Sequence, residues 1–113
     1  ALYTSSATLG AGTTAFTTSE EITNSSGTAY TSGGATLTSV TPVASSTTAI
    51  CDFSDVSFTS ASFTANGALI YNSSESNAAV AAIAFGADKT VSSGTFTIQF
   101  PAAGATTAII RLA

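Results

Sequence analysis

The sequence predicts an all-β fold, an antiparallel β-sandwich or jelly-roll-like barrel of about seven to eight strands. Three observations point there. Segments of strict period two recur along the chain, Gly, Ser and Asn clusters separate them, and Ser and Thr together make up about a third of the 113 residues. A chain of this length fits one domain with one core, so residues 1–113 read as a single β domain. Its apolar fraction of 44% lies near the globular norm, so burial offsets the entropy of ordering the chain.

Leu2 and Tyr3 read as the interior of a strand that begins with no lead-in, which predicts a missing upstream segment. Residues 4–34 carry few bulky side chains and many turn formers, a loop-rich contact region with one short strand near Ala15 and Phe16. "SEEI" within it reads as a turn or the start of a short helix. "ATLTSVTPV" alternates Leu37 with Thr36 and Thr38 and then reaches Val40, before Pro42 breaks or bends it. In "TTAICDFSDVSF", Val56 and Phe58 share a face, and Cys51 reads as a small half-buried residue. "GALIY", "NSSESN" and "AVAAIAFG" read as first arm, loop and second arm of a hairpin. The competing reading for residues 76–87 is a helix capped by Ser76, with Val80 and Ile83 on one stripe and Gly86 as its stop. "GTFTIQFP" puts Phe96, Ile98 and Phe100 on one face, and Pro101 ends it. "TTAIIRLA" closes the chain as a short apolar strand.

Composition excludes several functions. Charged residues are 7% of the chain, against about 25% in an ordinary domain. Lys89 and Arg111 are its two cations, and neutralising phosphates takes a cluster of them, so no nucleic-acid partner is expected. Every apolar stretch is interrupted by Thr, Ser or Gly, which leaves no membrane-spanning run. With no histidine and one cysteine there is neither a triad nor an internal disulfide. No catalytic, cofactor or metal site is expected, because nothing supplies a base near neutral pH.

Weaker motifs favour bland readings. Gly27, Gly33 and Gly34 have no lysine after them and read as turn glycines. Asp52 and Asp55 offer two oxygens for a hard cation, but a turn cap or a solvated face explains them more simply. "NSS" at Asn24 and Asn72 matches the glycosylation sequon, a chance match in a Ser-rich chain without a signal peptide. The absence of tryptophan argues against a sugar-cleaving cleft lined by aromatic platforms.

The order "TAYTSGGATLTSVTP", "CDFSDVSFTSASFTANGALIYNSSESNAAVAAIAFGADKTVSSGTFTIQFP" and "ATTAIIRLA" resembles a family of small tailed-bacteriophage virion proteins. The resemblance covers Leu2 to Leu112 and is strongest from Asp52 onward, with "GALIYN", "FGADKT" and "GTFTIQFPAA" its most specific pieces. This chain departs from the family pattern at Asn66, where the family tends to have Arg, and at Ala84, where it tends to have Asp. Losing both charges puts in doubt any salt bridge between them, although not the fold. The family's chains usually carry some tens of residues upstream, which the resemblance implies are missing here.

What the resemblance implies for function is a capsid decoration, cement or knob protein on the virion surface, without enzymatic activity or cofactor. Its partners would be the major capsid protein and copies of itself, with a trimer favoured for the threefold positions of a shell. The expected subunit or capsid contacts are Leu2, Tyr3, Phe16 and Tyr30 in the first third, and Ile109, Ile110 and Leu112 in the C-terminal strand, Ala108 to Leu112. Two rival readings are a tail tube or fibre component and a pilin-like or adhesin module that lends a strand to a neighbour's open edge.

Overall fold

The computed structural model describes residues 1–23 and 27–112. It is all-β, with two antiparallel three-stranded sheets and, among the described residues, no helix. One sheet orders β1 (Leu2–Tyr3), β4 (Val56–Asn72) and β5 (Ala78–Ile98) as β1-β4-β5; the other orders β2 (Ser39–Ser45), β3 (Thr48–Phe53) and β6 (Ile110–Leu112) as β2-β3-β6. The strands number six among the described residues rather than seven or eight.

The difference lies mainly in two long strands. β4 runs 17 residues and β5 runs 21, straight through serines and glycines that the sequence presents as breaks. Each absorbs an irregularity within its run. Ser60 in β4 and Ser93 in β5 have φ of 53° and 48°, left-handed values that insert one residue and reverse the alternation. Before Ser60 the inward side chain is Phe58; after it Ala61, Phe63 and Ala65 point inward while Ser62, Thr64 and Asn66 point out. In β5, Thr90 faces out before Ser93 and Thr97 faces out after it, opposite Thr64 and Ser57 respectively. A bulge thus shifts the phase of a continuing strand, where a reading of period alone sees a strand end.

The Ala-rich segment is strand, as the hairpin reading expected, with Asn72 and Ala78 flanking the turn. Its helical propensity loses to pairing with β4, its neighbour in the sheet, which offers backbone groups hydrogen-bond partners without a helix. The expected strand at Phe16 is a single bridge, Ala15 to Ala78. Pro42 bends β2 rather than ending it: the register with β3 shifts between Val40 and Val43, where a residue without an N–H is tolerated.

The chain divides into two compact units, Ala1–Ala35 with Phe58–Phe96, and Thr36–Ser57 with Thr97–Ala113. The first holds most of the core. Leu2, Tyr3, Ile22, Tyr30, Phe63 and Leu69 are buried there, and Tyr30, Phe58, Phe63, Phe85 and Phe96 form a chain of ring contacts with centroids 5.1 to 6.3 Å apart. In the second unit only Ile50 and Ala108 are buried hydrophobic residues among those described.

Candidate functional site

Two places stand out, one inside the first unit and one on the surface of the second. Inside, residues 20–22 run along the free side of β1: Ile22 donates to the Leu2 carbonyl and Thr4 to the Glu20 carbonyl, each at 3.0 Å. This places the Glu21 side chain, 9% exposed, among donors. Its Oε1 accepts from the Tyr30 hydroxyl at 2.8 Å and the Gly33 amide at 2.6 Å, and its Oε2 from the Ser32 hydroxyl at 2.8 Å. The Tyr30 oxygen in turn accepts from the Leu2 amide at 2.9 Å. One carboxylate therefore ties β1 to the Tyr30–Gly33 turn.

Burial pushes the Tyr30 phenol well above its ordinary range, with the neighbouring Glu21 charge adding to it and the Leu2 amide opposing. Burial likewise raises the Tyr3 phenol, whose hydroxyl donates to the Thr17 carbonyl at 2.7 Å. A group whose folded pKa is raised contributes stability that is complete below its unfolded value and is lost above it. Stability against denaturant is therefore expected to be flat with respect to these phenols through neutral pH and to fall once pH climbs past about 10. Denaturation at graded alkaline pH checks this, and Tyr30→Phe should flatten the slope.

Each of these bonds around Glu21 comes from within the chain, and together they hold β1 and residues 30–33 to one carboxylate. Nearby, Ser6, Thr8, Thr13, Thr17, Ser19 and Glu20 line a hydroxyl-rich depression of about 280 Å³. Glu20 there accepts from the Thr4 hydroxyl at 3.2 Å. The aspartates of the second unit cap backbone: Asp52 accepts from the Phe53 amide at 2.8 Å and Asp55 from the Phe100 amide at 2.9 Å. Among the described residues, no group of three or more His, Cys, Asp and Glu side chains is gathered as for a metal ion. Asn72 spends its Oδ1 on the Ser74 amide at 3.0 Å, while Asn24 lies outside the described residues.

The surface place is one face of the sheet β2-β3-β6. The register pairs Ala44 with Ala49, Ala49 with Leu112, and Cys51 with Ile110. Cross-strand partners share a face, and alternation along β3 adds Phe53 to it. Ala44, Ala49 and Cys51 are exposed, Ile110 is partly so, and Leu112 is 73% exposed. Cys51 is thus exposed rather than half-buried, because nothing in its own unit covers this face. The opposite face carries Ile50, which is buried, beside Val43 and Arg111.

The residues expected at contacts separate accordingly. Leu2, Tyr3 and Tyr30 lie in the core of the first unit, and Phe16 stacks on Tyr71 with centroids 4.7 Å apart. Ile110 and Leu112 lie on the apolar face, and Ile109 is partly exposed just before β6. Sequence reasoning missed Glu21 as a buried centre, for which "SEEI" carries no signal, and missed Ala44 and Ala49, whose facing depends on register. Comparison with known protein families, with curated proteins and with solved structures returned no match to this chain.

Proposed function

We propose that this chain is a non-enzymatic structural protein of a tailed-bacteriophage virion, a decoration or cement protein that binds the assembled head and associates with copies of itself. The observation that carries the reading is the uncovered apolar face of β2-β3-β6, with Leu112 73% exposed beside Ala44, Ala49 and Cys51. Its small side chains allow close approach of another surface, and an apolar face without charge suits a subunit or shell contact. A sandwich-class scaffold with few charges suits crowded copies, which would otherwise repel one another. The mechanism is mass action: a protein that binds only the mature shell lattice stabilises that state by its binding free energy.

The contact runs through this face rather than through a lent strand. β2 is exposed at all seven positions, but Pro42 and the register shift beside it interrupt its free edge, devices that discourage strand addition.

Co-sedimentation with expanded heads lacking the protein, together with light scattering of the free chain, tests the reading. Saturable binding in fixed ratio to the major capsid protein is the expected result. Absence of binding, with rings or filaments formed by the free chain, would overturn it in favour of a tail component. Leu112→Glu should weaken the association by about tenfold or more, as expected from losing one buried leucine side chain and burying a charge, while leaving the unfolding midpoint within experimental error.

A further inference from the structure

The geometry points to Asn66 as a latent deamidation site, held closed by strand β1. Asn66 precedes Gly67, the neighbour that least hinders attack of a backbone nitrogen on an asparagine side chain. The glycine is fixed by packing, because a Cβ there would lie 2.9 Å from the Ile83 carbonyl oxygen. The fold therefore retains a reactive dipeptide in the middle of β4.

The same fold restrains it. Ala1 and Leu69 exchange both backbone bonds, each 2.9 Å. Two residues further along this antiparallel ladder, Tyr3 faces Gly67, and alternation makes that the next doubly bonded pair, with the Gly67 N–H donated to the Tyr3 carbonyl. The nitrogen that would attack is thus occupied by β1, and the extended backbone of β4 holds it away from the Asn66 side chain. β1 is two residues long, so the lock is short.

When β1 opens, the Gly67 nitrogen loses its proton and bonds to Asn66 Cγ; the Cγ–Nδ2 bond breaks and ammonia departs with that proton. The resulting succinimide adds water at either carbonyl, giving aspartate or isoaspartate, with no oxidant or other reactant. The product sits badly. Asn66 Nδ2 donates to Asp88 Oδ1 at 2.8 Å, and a carboxylate in its place sets two negative charges against each other across β4 and β5. Isoaspartate also lengthens the β4 backbone by one carbon. Conversion therefore loosens the hairpin.

The test is peptide mapping by mass spectrometry of the full chain aged at mildly alkaline pH, folded and in strong denaturant, with Asn72, exposed at the end of β4, as internal reference. Conversion at Asn66 should be slower in the folded chain by about tenfold or more, as opening of the strand becomes the gate. Tyr30→Phe, which removes the acceptor of the Leu2 amide, should speed conversion in step with hydrogen exchange at the Gly67 amide. Equal rates in the folded and denatured chains would overturn the proposal, as would faster Gly67 exchange without faster conversion. Should Tyr30→Phe not fold, sub-denaturing chaotrope provides the same comparison. Asn66→Asp should lower the unfolding midpoint at neutral pH and recover it where the carboxylates are protonated.

Discussion

Glu21→Ala is expected to lower the unfolding free energy by about 3 kcal/mol, because it strands the buried Tyr30 hydroxyl and the half-buried Gly33 amide. The carboxylate accepts from the Tyr30 and Ser32 hydroxyls and from the Gly33 amide. Ser32 is exposed enough to recover a bond to water, whereas the Tyr30 hydroxyl is not. Glu21→Gln separates charge from hydrogen bonding. Its amide oxygen keeps the acceptor position facing Tyr30 and Gly33, and its amino group donates to Ser32 once that hydroxyl rotates. A loss of about 1 kcal/mol is then expected. Urea titrations of both variants measure the two losses. Equal losses would mean that the charge, rather than the set of bonds, holds the turn to β1.

Gly67→Ala is expected to cost about 2 to 3 kcal/mol, the upper part of the range for overpacking. The new methyl meets the Ile83 carbonyl oxygen at 2.9 Å, and since both partners are backbone no side-chain rotation relieves the clash. One of the two long strands must shift, against its ladder. Gly10→Ala and Gly12→Ala are the matched controls, because a Cβ at either position meets nothing within 4 Å. Neither has a left-handed backbone, so both should be neutral or slightly stabilising through the unfolded chain. Denaturant midpoints of the three variants decide the matter. A Gly67→Ala midpoint equal to the controls would show that β4 and β5 part easily at this point.

The all-β class was legible because it rests on composition and period two, both local properties. The hairpin around residues 73–77 was legible because its polar insert separates two apolar arms of opposite ends of one sheet pairing. Strand number was not, since Ser60 and Ser93 adopt left-handed φ that no side-chain preference announces. Serine reads as a turn former wherever it stands, and only the neighbouring ladder shows that the strand continues through it. The Glu21 centre was illegible for a related reason: Tyr30, Ser32 and Gly33 meet it from nine to twelve positions further along the chain, and a carboxylate in "SEEI" has no feature that distinguishes burial from solvation. The apolar face was legible in part. Ile110 and Leu112 stand out as bulky residues in a terminal run, but Ala44 and Ala49 join them only through the register of β2 with β3.

The two left-handed serines also constrain how the gene can change length. Thr64 lies seven positions after Ser57, and Thr97 seven positions after Thr90, the hydroxyl pairs that meet across the hairpin on either side of the bulges. The extra residues on the two arms therefore cancel. Loss of the Ser60 codon alone would slip one arm by a residue and turn every side chain beyond it to the wrong face. Loss of both codons would restore the pairing in a plain ribbon. Length variation in this hairpin should therefore be inherited in pairs, one codon from each arm, with the single deletions absent from folded descendants.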